Sequence, residues 1–100
     1  MAVVSVTTMK ASPDQFEPLI DGIRKSKVAM ERLGGVTNVR LLSAMIAGEQ
    51  TGTLAFIYES EDFGTFGQFL NASLADPESR ALLGLHIVDY QNTVWTDIPL

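Results

Sequence analysis

The side chains able to do chemistry in this chain are few, and they are scattered along the sequence. His86 is the only histidine. It is also the only side chain here whose ordinary pKa lies near neutrality, which makes it the first candidate for proton transfer or haem ligation. As the second residue of a strand it reads equally well as a solvated strand end. Tyr58 and Tyr90 can place phenol groups in a pocket, and an apolar pocket with a few converging polar groups is how small aromatic or polyketide-like ligands are held. Arg40 can bind an anionic oxygen or stabilise an enolate on the way to attack by oxygen. The competing reading of these three is structural. Tyrosines fill cores with the hydroxyl at the rim, and Arg40, near a strand start, has Glu59 and Glu61 as ion-pair partners. The working set is therefore His86, Tyr58 and Arg40 as catalytic groups, with Tyr90 lining the ligand.

Metal and cofactor chemistry has little support in these residues. No second histidine completes a metal site, and the carboxylates lack ligand spacing. The chain has no cysteine, which removes disulfides, thiolate nucleophiles and zinc–thiolate sites together. We expect neither a metal nor a cofactor.

The elements that must position this set follow from local pattern. Residues 3 to 10, VVSVTTMK, are rich in β-branched side chains and read as a strand. Ser12-Pro13-Asp14-Gln15 carries a capping-box pattern with proline at the first helical position. Phe16, Leu19, Ile20, Ile23, Met30 and Leu33 then recur at spacings of three and four, predicting a helix over 14–33 that Gly34-Gly35 closes. Pro18 is awkward inside that helix, so its first turn is expected to be irregular or to begin later. NVRLLSAMIA (38–47) and TLAFIYE (53–59), separated by Gly48 to Gly52, read as a β-hairpin.

Asp62 is positioned to cap a second helix carrying Phe63, Phe66, Phe69, Leu70 and Leu74. Gly64 and Gly67 weaken that helix, and close packing on the sheet would explain them. Asp76-Pro77-Glu78 starts a short further helix, with Asp76 read as its cap. Leu85 to Thr96 is the fourth strand. Trp95, late in it, reads as an anchor packing on its own subunit or on a partner.

The order β-α-β-β-α-β predicts a ferredoxin-like α+β domain spanning residues 1–100, a four-stranded antiparallel sheet with both crossover helices on one face. Pairing Ala47 with Thr53 would turn Leu42, Ala44, Ile46, Leu54, Phe56 and Tyr58 toward the helices, with Arg40 sharing the side of Tyr58. The opposite face then carries Leu41, Met45, Ala47, Ala55 and Ile57. Leaving these in water would forfeit on the order of 5 to 10 kcal/mol, so a homodimer through the sheet face is the simplest cover.

Composition narrows the remaining partners. One hundred residues, 46% apolar and 19% charged, suit one globular core. The net charge of −5 repels nucleic acid at long range, and Arg24, Lys25 and Lys27, flanked by Asp21 and Glu31, read as a solvated helix face. No run approaches the roughly 20 apolar residues of a membrane span. Residues 1–10 lack a basic stretch ahead of the valines, so no export signal is expected and a cytoplasmic location is.

The stretch GGVTNVRLLSAMIAGEQTGTLAFIYESEDFGTFGQFLNASLADPESRALLG resembles the dimeric α+β barrel superfamily, particularly its stress-responsive and antibiotic-biosynthesis-monooxygenase-like members. The acidic strand end before an aromatic helix, Glu59 to Phe66, and the Ala75-Asp76-Pro77-Glu78 break carry the likeness. It implies a barrel of two four-stranded sheets and a pocket between sheet and helices in each subunit. It also implies a small hydrophobic ligand, used by a cofactor-independent monooxygenase or isomerase or by a non-enzymatic dimer. Haem-degrading relatives use an Asn, Trp and His trio. Here Ser5 and Thr7 stand where an Asn would be wanted, and Trp95 lies outside the hairpin, so that trio does not carry over.

Overall fold

Strand and helix signals in the sequence resolve into four strands and two helices in the computed structural model, which describes residues 2–10, 14, 16–44, 53–77 and 88–100. The chain runs β1 (Val3–Lys10), α1 (Phe16–Leu33), β2 (Thr37–Ser43), β3 (Leu54–Ser60), α2 (Phe63–Ala75) and β4 (Val88–Thr96). All pairings are antiparallel, in the order β2-β3-β1-β4. This is the ferredoxin-like α+β arrangement expected from the element order.

Local chemistry accounts for the helix boundaries. Pro18 falls in the first turn of α1, where its missing N–H has no intrahelical acceptor to lose, so the helix accommodates it by starting at Phe16. The α1 C-terminus closes with Gly34 N–H donating to the Met30 carbonyl at 3.0 Å, and Gly34 and Gly35 take φ of 77° and 84°. Asp62 caps α2, its carboxylate accepting from Thr65 N–H at 2.7 Å. That bond holds the Asp62 carboxyl below the usual aspartate range. The proposed short helix after Asp76 and the strand start at Leu85 lie outside the described residues.

Both helices pack on one side of the sheet. One cluster joins Leu19 and Ile23 of α1 to Met9 and Leu54, with Leu41 and Phe56 against it. A second joins Met30, Val36, Val39 and Phe69, with Leu33, Phe56 and Tyr58 against it. The helix glycines do not bring α2 close to the sheet, contrary to expectation. Among the described residues, a Cβ at Gly67 would meet nothing within 4 Å, and one at Gly64 would meet only the cap carboxylate. The close approach is at Gly35, where a Cβ would come to 3.5 Å from Phe69 and 3.6 Å from Thr65.

The hairpin register differs from the expected one. Ser43 pairs with Leu54, Leu42 with Ala55 and Leu41 with Phe56, and Ala44 N–H bonds the Thr53 carbonyl at 2.9 Å. Thr53 therefore stands opposite Ala44 instead of Ala47. A shift of three residues, being odd, turns β2 over. Leu41 joins the helix-side core and Leu42 moves to the open face, the reverse of the expected assignment, while Leu54, Phe56, Ala55 and Ile57 lie as predicted. Met45, Ile46 and Ala47 lie outside the described residues.

Candidate functional site

The side of the sheet that carries the helices presents two unlike surfaces. Over β3 the row is aromatic. Tyr58 lies 6.1 Å from Phe56, 6.2 Å from Phe66 in a stacked arrangement and 5.5 Å from Phe69, measured between ring centroids. Alternation along β3 puts Phe56 and Tyr58 on one side, and the spacing of three in α2 brings Phe66 and Phe69 down onto them.

Over β1 and β4 the row is polar. Val3, Ser5, Thr7 and Met9 are the buried set of β1, and Ser5 is only 1% exposed. Pairing sets Thr7 beside Asn92 and Ser5 beside Val94. The Asn92 side-chain amide donates to Thr7 Oγ1 at 2.7 Å and to Ser5 Oγ at 3.2 Å. Two buried hydroxyls in a valine-rich strand are thus satisfied by one amide from the neighbouring strand, as buried polar groups require. Sequence reading missed this trio. The available signal was Asn92 itself, a residue depleted in strands, in line with hydroxyls two apart on β1.

Arg40 is not where sequence reasoning placed it. It pairs with Ile57, so it projects from the open face while Tyr58 projects toward the helices. Sharing a face with Tyr58 was a consequence of the assumed register and falls with it. Arg40 instead bonds Glu59 Oε2 at 3.1 Å and the Asn38 carbonyl at 3.0 Å. Asn38, at φ 53°, also donates to Glu59 Oε2, at 2.6 Å. A register shift between Thr37 and Arg40 sets Asn38 and Val39 against Tyr58 alone, a bulge that the left-handed tolerance of asparagine permits.

Tyr90 lies in β4 beside a second register shift, opposite the step from Thr8 to Lys10, and its side chain lies outside the described set. His86 is also outside the described residues. Of the four sequence candidates, the described structure therefore brings no two together. A cleft of about 470 Å³ opens at the end of α1, lined by Lys27, Glu31, Val36, Thr37, Asn38 and Val39, none of them a candidate. Among the described residues no three His, Cys, Asp or Glu side chains are grouped to hold a metal ion, and no helix is long and apolar enough to cross a membrane.

The open face carries Val4, Val6, Ala55 and Ile57 at its centre, with Leu42 on β2 and Trp95 on β4. Leu42 is 48% and Trp95 61% exposed. The Trp95 indole N–H bonds Thr93 Oγ1 at 2.8 Å, which lays the ring along the strand. Asp76 ends α2, and the further helix it was expected to cap lies beyond Pro77, outside the described residues. The Asp76 N–H bonds the Ser73 carbonyl and both its oxygens accept from Arg32 Nη2 at 3.0 Å.

Comparison with known folds follows from this geometry. A solved structure from Deinococcus radiodurans, named a "putative antibiotic biosynthesis monooxygenase", superposes with a TM-score of 0.70 at 19% identity, over 98% of this chain and 94% of that one. A protein of the same description from Nitrosomonas europaea gives 0.75 at 7% identity, over 97% and 90%. A NIPSNAP family protein from Agrobacterium tumefaciens gives 0.74 at 10% identity, over 98% and 94%. The chain shares its fold with these proteins. At such identities the likeness is one of fold. No protein-family profile matches the sequence, and no curated protein matches it.

Proposed function

We propose that this chain is a cytoplasmic homodimer that binds a hydrophobic, oxygenated small molecule on the helix side of its sheet and acts on it as a cofactor-independent monooxygenase or isomerase. The observation that carries this reading is the shared fold, over almost the whole chain, with proteins named as antibiotic biosynthesis monooxygenases. In the oxygenase form His86 takes a proton from a CH2 group beside a substrate carbonyl, and Tyr58 donates a hydrogen bond to the resulting enolate oxygen. The enolate reduces dioxygen. One oxygen atom remains on the substrate carbon as a new carbonyl, and the other leaves as water with the two hydrogens of that CH2. Tyr90 lines the ligand. Arg40, paired with Glu59 on the other face, serves the subunit interface.

A second reading is a non-enzymatic stress-related or regulatory dimer without an open pocket. The packing of Tyr58 among Phe56, Phe66 and Phe69 favours it, because those rings occupy the space a substrate would need. A thermal-shift screen of wild type, Tyr58→Phe and His86→Ala against quinones, lactones, flavins and haem separates the two. A shift that both variants lose supports the site, and uniform silence supports the structural role.

The dimer is supported by the apolar open face. Two sheets packed there would bury the exposed Leu42 and Trp95 isologously, in an interface at or above roughly 1,600 Å². Light scattering at micromolar concentration should give twice the 10.9 kDa chain mass for wild type and a single chain for Leu42→Glu. A 10.9 kDa wild-type species would overturn the assembly.

A further inference from the structure

Coverage of the helix-side surface ends within one strand spacing. Ser5 and Thr7 on β1 are buried, yet Asn92 and Val94, their partners on β4, are exposed, Val94 by 44%. The step between them is a ledge about 4.8 Å wide, with an amide and an aliphatic side chain on its outer edge and two buried hydroxyls behind.

We propose that Asn92 is the polar contact of a ligand site on this ledge, and that the site takes a planar apolar molecule bearing a hydroxyl donor, such as a phenol or enol. The inference rests on the ligand-binding reading above and names the group that would select the ligand. Both N–H bonds of the Asn92 amide are directed at Thr7 Oγ1 and Ser5 Oγ, which fixes the amide plane. An amide held this way turns its carbonyl away from β1, and among the described residues no donor reaches Oδ1. A fixed acceptor beside an aliphatic surface recognises a molecule whose hydroxyl donates while its body covers Val94. An analogue whose hydroxyl is methylated cannot donate and leaves Oδ1 desolvated and unpaired. Ser5 and Thr7 are positioning residues: they orient the amide and do not meet the ligand.

The test compares 1-naphthol with 1-methoxynaphthalene by fluorescence titration of wild type, Asn92→Ala and, as a control on the exposed face of α1, Arg24→Ala. Wild type should prefer naphthol by about tenfold, Arg24→Ala should keep that preference, and Asn92→Ala should bring the two ligands within about twofold. Naphthol should also shift the Asn92 side-chain amide resonances in the nitrogen–proton spectrum of the unmodified protein, a readout independent of how the variant folds. If naphthol binds but Asn92→Ala keeps the preference, or the amide resonances stay unmoved, the assignment to Asn92 is wrong while the ligand-binding reading stands. If neither compound binds wild type, both fall.

Discussion

The two halves of the helix-side surface make opposite uses of burial. Over β3 the space is filled by rings, with Tyr58, Phe66 and Phe69 in contact, and the buried Ser60 hydroxyl at the strand end donates to the Gly35 carbonyl. Over β1 and β4 two of the buried groups, set between Val3 and Met9, are hydroxyls tied off by an amide at an exposed edge. The first arrangement derives stability from apolar area and leaves little for a ligand to recognise. The second holds polar groups in fixed directions, which is what selective recognition requires. Stability and selectivity are thus assigned to neighbouring strands of one sheet.

Cavity formation in the aromatic half should have the largest effect. Phe69 is 4% exposed and belongs to the second core cluster, so Phe69→Ala should lower unfolding free energy by about 3–5 kcal/mol. Urea titration reads this as a fall in midpoint, and a loss below about 1 kcal/mol would remove the contrast between the halves. Thr7→Val, which keeps the volume and removes one acceptor of the Asn92 amide, should cost only about 1 kcal/mol by the same titration. It should nonetheless broaden or shift the Asn92 amide resonances.

Arg32→Ala breaks the bond to Asp76 that ties the last turn of α1 to the end of α2. With Arg32 half exposed, the cost should be no more than about 1 kcal/mol, and it should shrink in high salt. The smallest effect is at Asp62. Its carboxyl is held below the usual range by the Thr65 bonds, so its contribution is present above the unfolded pKa and is lost as pH falls through the folded one. Asp62→Asn should flatten that acid limb in pH-dependent thermal melts and lower the plateau above about pH 6 by a small amount that does not vary with pH.

Much of the fold was legible because its signals are local. Val3–Lys10 follows from β-branched content, the end of α1 from Gly34-Gly35, and the start of α2 from Asp62. Register is not local. The hairpin sets Ala44 opposite Thr53, an odd shift from the register that Gly48 to Gly52 suggested, and that difference alone moved Arg40 and Leu42 to the other side of the sheet. The face of Tyr58 was legible from alternation in β3, whereas its enclosure by Phe56, Phe66 and Phe69 depends on where α2 docks. The link from Asn92 to Ser5 and Thr7 spans more than eighty residues, and only the β1–β4 pairing reveals it.

The extra residue at Asn38 sets a rule for insertions and deletions in this chain. Because two residues of β2 oppose one of β3 there, Thr37 and Arg40 share a side although they are three apart. Removing Asn38 would leave Thr37 and Arg40 two apart, the regular spacing of one side, so Thr37 and the glycine turn before it would keep their side while the strand straightens. A single deletion at 38 should therefore be tolerated better than one elsewhere in β2, where it turns part of the strand over, and position 38 itself should accept glycine or aspartate far more readily than a β-branched side chain.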